Sequence, residues 1–128
     1  VKGVLDPEDA KKIKETGVDA IYVSGHGARQ LDSLPAPITQ LPKIRKAVGK
    51  SFPLIFDTGV RNGEDIVKAY ASGADFVMLG RPVLYALGAD GERGLKTIMN
   101  YISKEIQVTL AQIGLAKISE VNEKNLIR

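Results

Sequence analysis

Short apolar runs alternate with longer amphipathic stretches along the whole chain, and this alternation predicts strands and helices in turn. Val1-Lys2-Gly3-Val4 reads as the end of a strand. A helix start follows: Asp6 can cap, Pro7 fits the first helical position, and Glu8 and Asp9 favour the positive end of the helix dipole. That helix runs past Ala10 and Ile13 to a stop at Gly17. Residues 20–23 are short and apolar, as expected of a strand buried on both faces. A loop with Pro35 and Pro37 leads to a helix near residues 42–48, stopped by Gly49, and then to a strand over residues 52–56. Asn62 caps a helix through Ile66, Ala69 and Tyr70 to Gly73, and residues 76–79 form the last strand. Beyond Gly80-Arg81-Pro82 comes a long amphipathic helix. Leu95, Ile98, Met99, Ile102, Ile106, Leu110 and Ile113 recur at helical spacing and are expected to face the core, with Tyr101, Lys104 and Glu105 on the solvated side. The tail over residues 116–128 is expected to be a short closing helix or turn.

An internal repeat sharpens this order. Gly3-Val4-Leu5-Asp6-Pro7-Glu8-Asp9 matches Gly59-Val60-Arg61-Asn62-Gly63-Glu64-Asp65 at an offset of 56, and the register continues through Lys12 with Lys68, Gly17 with Gly73, and Asp19 with Asp75. One loop, helix and strand unit is therefore present twice, with another strand between the copies. A unit of about 28 residues suits eight units in the roughly 250 residues of a (β/α)8 barrel. The expected fold class is α/β, the C-terminal half of a TIM barrel: parallel strands with alternating helices plus a long C-terminal helix. A doubly wound open sheet is the other arrangement, but its G-x-G-x-x-G fingerprint is absent.

Composition narrows the rest. With 128 residues, 44% hydrophobic and 26% charged, the chain has enough material for one core, so residues 1–128 are read as a single partial domain. It opens without methionine on a strand that is already ending, and is expected to be a piece of something longer. No long apolar run and no leading signal pattern are present, so the chain reads as cytoplasmic, with peripheral membrane association of the full-length protein left open. The absence of cysteine excludes disulfides and thiolate metal sites, and a single histidine excludes a multi-histidine metal site. Eighteen basic and 15 acidic side chains give +3, too little to argue for nucleic acid.

In barrels, function collects at the C-terminal ends of the strands. The residues that fall there are Lys2; Ser24, His26 and Arg29; Asp57, Gly59 and Arg61; and Gly80 and Arg81. Arg61 beside glycine, and Gly80-Arg81 after the last strand, offer backbone N–H groups and guanidinium forks that suit a phosphate. His26, the sole imidazole, stands between Gly25 and Gly27. Taken alone it fits a turn as well as a reaction centre.

SGHGARQLD, DTGVRNGEDIVKA and GADFVMLGRP resemble the signature segments of the FMN-dependent α-hydroxy acid oxidases and dehydrogenases, a family that includes glycolate oxidase, lactate oxidase, L-lactate dehydrogenase and mandelate dehydrogenase. The resemblance runs across essentially the whole chain and implies the second half of a TIM barrel. It also implies oxidation of an L-2-hydroxy acid, of lactate or glycolate type, to the 2-oxo acid with electron transfer to FMN. By position, Lys2 would sit near flavin N1 and O2, Ser24 would touch the pyrimidine edge, His26 would be the general base, and Arg29 would hold the substrate carboxylate. Asp57, Thr58, Gly59, Val60 and Arg61, with Gly80 and Arg81, would bind the ribityl chain and phosphate. The implied partners are a small 2-hydroxy acid and the missing N-terminal half of the barrel, which would bring the acid that orients the base, and a homo-oligomer is compatible with this.

This chain departs from the family pattern at Gly25, where asparagine is usual; Ala28, where a second glycine is common; Thr58, where glycine or serine is; and Asn62, where arginine is. The first loses a side-chain hydrogen bond near His26. Two other readings stand beside this one. One is another FMN barrel with the same phosphate loops, of the type 2 isopentenyl diphosphate isomerase or inosine-monophosphate dehydrogenase kind. The other is a non-catalytic half-barrel that self-associates through its open edges.

Overall fold

The computed structural model describes residues 1–126 of the chain. Its elements are β1 (Lys2–Val4), α1 (Pro7–Glu15), β2 (Ile21–Val23), α2 (Pro37–Val48), β3 (Leu54–Phe56), α3 (Gly63–Ala71), β4 (Phe76–Val77) and α4 (Arg81–Gln112). The four strands are parallel and lie in sequence order, β1-β2-β3-β4. A doubly wound sheet reverses its strand order at a switch point, and this sheet has no reversal. Right-handed crossovers in one direction put successive helices on one side of the sheet, as in a barrel wall.

The register divides the side chains into two rows. Val4, Val23, Phe56 and Val77 are cross-strand neighbours on the helix side, where Val4, Val23 and Phe56 are buried with Ile21, Leu54, Leu41, Ile44 and Val48. Lys2, Tyr22, Ile55 and Phe76 form the row on the other face, and none of them is fully buried. The strand at Ile21–Val23 is therefore covered on one face only, not on both as its apolar run suggests, because Tyr22 turns to the concave side.

The repeat is borne out in three dimensions. Helices α1 and α3 begin and end 56 residues apart, are capped by Asp6 and Asn62 respectively, and follow glycines with φ of +92° and +96°. Each cap carboxylate or amide oxygen accepts from backbone N–H groups of the first turn. Helix α2 starts at Pro37 rather than near Pro42. Pro42 lies inside it on the exposed side, while Pro37, Leu41, Ile44 and Val48 are buried along the inner stripe, so packing holds the extra turn together. Strand β3 is shorter than expected because Pro53 has no N–H for the ladder.

The long helix differs from expectation in three ways. Its backbone breaks at Asp90 and Gly91, ahead of the apolar stripe. Within that stripe Ile102 and Leu110 are buried, but Met99 (45%) and Ile113 (36%) are exposed, because the stripe is wider than the strip of α3 it packs on. Glu105 is not simply solvated: its Oε2 accepts from Gly63 N at 2.8 Å, capping α3 from outside. The tail forms two 3-10 turns, Ile118–Glu120 and Glu123–Asn125, and the part of its expected course at residues 127–128 lies outside the described residues.

At the other end of the sheet Arg45 is a structural hub. Its guanidinium donates to the carbonyls of Gly73, Gly49, Lys50 and Phe52 and to Asp75 Oδ2 at 2.5 Å, tying α2 to the starts of β3 and β4. A Cβ on Gly73 would stand 2.8 Å from Arg45 Cγ.

Candidate functional site

The C-terminal ends of all four strands open on one cleft of about 350 Å³, lined by Lys2, His26, Gly27, Arg29, Asp57, Thr58, Val60, Arg61, Met78, Gly80, Arg81 and Leu84. Nine of the eleven residues singled out from the sequence are on its wall. The other two lie just behind it. Ser24 is buried beneath Lys2, and Gly59 makes the turn between Thr58 and Val60 with a φ of +96°.

Asp57 is the electrostatic centre. Its Oδ2 accepts from the Tyr22 hydroxyl at 2.9 Å and pairs with Lys2 Nζ at 3.5 Å, and its Oδ1 accepts from the Thr58 hydroxyl at 2.8 Å. Burial pushes the Asp57 carboxyl upward, but hydrogen bonds from Ser24, Thr58 and Tyr22 and the Lys2 charge outweigh it, so the acid is held below its usual range. Lys2 Nζ also donates to Ser24 Oγ at 2.8 Å and lies 4.5 Å from the centre of the Tyr22 ring. The tyrosine phenol is driven well above its ordinary range by burial first and by the neighbouring Asp57 carboxylate second.

His26 sits in a tight turn after β2. His26, Gly27 and Ala28 have φ of +50°, +68° and +60°, three consecutive left-handed residues. Its backbone N–H donates to Ser24 Oγ at 3.1 Å, and the imidazole rests against Gly3, whose missing Cβ would stand 3.2 Å from Cε1. Neither ring nitrogen has a hydrogen-bond partner among the described residues. An asparagine at position 25 would have to displace Pro37, whose Cγ stands 3.1 Å from where its Cβ would be.

The cleft is rich in cations: Lys2, Arg29, Arg61 and Arg81 face one carboxylate. Arg61 donates to the Val60 carbonyl, and its backbone N–H is held by Asp65. Helix α4 opens beside them at Gly80 without a side-chain cap, unlike α1 and α3. Gly59 and Gly80 both have open space where a Cβ would be. The donor set fits a phosphate and a polyhydroxyl chain: two guanidinium forks, an uncapped helix start, glycines that allow close approach, and an acid for hydroxyls. Sequence reasoning missed Tyr22, Gly27, Met78 and Leu84. The signal for Tyr22 was the strand period of two, which puts it on the same face as Ser24.

Among the described residues no helix is long and apolar enough to cross a membrane, and no group of three or more histidine or acidic residues could hold a metal ion.

Comparison with known proteins follows the same lines. The chain is 46% identical over 126 residues to a peroxisomal (S)-2-hydroxyacid oxidase of Arabidopsis thaliana, covering 98% of this chain and 35% of that protein. It is 43% identical to an L-lactate dehydrogenase of Acinetobacter baylyi, covering 99% of this chain and 33% of that one. A crystal structure of the monotopic membrane protein (S)-mandelate dehydrogenase superposes with a TM-score of 0.95 at 41% identity, over 99% of this chain and 34% of that one. The chain thus spans about a third of the length of these relatives. The FMN-dependent dehydrogenase family matches residues 1–128, end to end, and the chain belongs to that family.

Proposed function

We propose that this chain is the C-terminal half of a (β/α)8 barrel whose full-length form oxidises an L-2-hydroxy acid, of lactate or glycolate type, to the 2-oxo acid. The convergence of His26, Arg29, Lys2, Arg61 and Arg81 on one cleft carries this reading. FMN, when bound, supplies the two-electron acceptor. Lys2 would then supply a positive charge to the ring, Ser24 would meet its pyrimidine edge, and Asp57 to Arg61 with Gly80 and Arg81 would hold the ribityl chain and phosphate. Arg29 grips the substrate carboxylate by paired hydrogen bonds, and His26 takes the proton from the 2-hydroxy group or α-carbon.

The chain by itself is expected to be inactive, because His26 has no partner to orient its ring among the described residues. Exposure of Phe76 (65%) on β4, Met78 just beyond it and Tyr85 on α4 favours association, either with the upstream half or with a second copy.

The experiment compares the chain alone with the full-length protein, measuring flavin absorbance and its bleaching by L-lactate or glycolate. His26→Gln in the full-length protein should keep the flavin and lower turnover by about 10²–10⁴-fold. A wild-type protein that holds FMN but is reduced by no 2-hydroxy acid overturns the assignment.

A further inference from the structure

Position 58 carries a threonine in a backbone conformation that β-branched residues rarely adopt, with φ at +77°. The turn facing it has the same character, with His26, Gly27 and Ala28 all left-handed. One atom joins the two loops. Thr58 Oγ1 accepts from the backbone N–H of Gly25 at 3.1 Å and of Gly27 at 3.4 Å, and donates to Asp57 Oδ1 at 2.8 Å. A hydroxyl has one proton and two lone pairs, so these three bonds use its whole capacity. Asp57 is itself fixed by Tyr22 and Lys2, which makes the far end of the strap rigid.

We infer that Thr58 is a positioning residue: its hydroxyl ties the His26 turn to Asp57 and so sets where the imidazole stands in the cleft. The inference rests on the reading of His26 as the base, and it gives the Thr58 side chain a task other than binding FMN. The ring of His26 has no hydrogen bond among the described residues and rests against Gly3, so its place follows from the backbone that carries it. The two amides that Thr58 holds flank that backbone on either side. The threonine methyl also contributes shape, since Cγ2 lies 3.7 Å from where a Cβ on Gly25 would be. Hydroxyl and methyl must therefore be separated.

The test uses the intact FMN-loaded protein with Thr58→Ser, Thr58→Val and Thr58→Ala. Amide hydrogen exchange at Gly25 and Gly27 is measured together with kcat, KM for L-lactate or glycolate, and FMN affinity. Losing the hydroxyl in the Val and Ala variants should speed exchange at both glycines and lower kcat at saturating FMN, each by about tenfold, with KM within about twofold of wild type. Thr58→Ser should match wild type in both. If Val fails to fold, Ala carries the same comparison. Unchanged exchange in the hydroxyl-free variants overturns the strap, and an impaired Ser variant beside a wild-type-like Val variant places the effect on the methyl instead. If no 2-hydroxy acid reduces the wild-type flavin, the reading of His26 falls, while the exchange rates still decide whether Thr58 holds the turn.

Discussion

The Tyr22 hydroxyl donates to Asp57 Oδ2 across 2.9 Å, and that same oxygen faces Lys2 Nζ at 3.5 Å. One carboxylate just beyond β3 thus links three adjacent strands. Burial and the Asp57 charge both hold the phenol protonated, so Tyr22 should ionise well above the ordinary phenol range in an alkaline absorbance titration. Asp57→Asn should bring the Tyr22 step down and leave Tyr70, which is raised by its own burial and Asp75, where it was. A titration in which both tyrosines move together would contradict this pairing.

The lowered Asp57 pKa has a consequence on the acid side. A carboxylate held below its unfolded value contributes stability that is complete above about pH 4 and is lost as pH falls through the folded value. Urea unfolding of the intact protein and of Asp57→Asn should therefore differ most at neutral pH, with the gap closing below about pH 4. A gap independent of pH would mean that the carboxylate charge has no part in it.

Gly3 is the floor under His26. Gly3→Ala places a methyl 3.2 Å from the imidazole Cε1 on a residue with φ of +92°. The variant should lose about 1 kcal/mol from backbone strain and lower turnover through displacement of the ring. FMN absorbance per protein should stay at the wild-type level, because Gly3 is not on the phosphate side of the cleft.

Helices α3 and α4 meet without room for a side chain at Gly63. An added Cβ would stand 2.4 Å from Ile106 N and 2.5 Å from Glu105 Cβ. Gly63→Ala should cost about 2–3 kcal/mol in denaturant unfolding. Glu105→Gln keeps an acceptor for the Gly63 amide and should cost under about 1 kcal/mol.

Arg45 should not tolerate lysine. Its fork serves four carbonyls and one carboxylate at once, and an ammonium cannot reproduce that spread. Arg45→Lys should destabilise by about 2–3 kcal/mol in a thermal or urea melt. Turnover per folded molecule should be unaffected, because the hub lies at the end of the sheet opposite the cleft.

Local chemistry determined much of this protein. The caps at Asp6 and Asn62, the glycine stops at Gly17 and Gly73, and the offset of 56 that relates the two units are written in short-range residue choices, and the helices they bound form where expected. The same short-range logic put His26, Arg29, Asp57, Arg61 and Arg81 at strand ends, and strand ends share a rim. Tertiary structure decided what no local pattern carries: which face of β2 is covered, whether Met99 or Ile102 reaches the core, and which atoms answer which. Glu105 lies 42 residues from the amide it caps, Tyr22 lies 35 from Asp57, and Thr58 lies 33 from Gly25. Such bonds depend on the register of parallel strands and the approach of helices, which long-range packing sets. The cleft follows from strand order; the hold on the histidine turn follows from that packing.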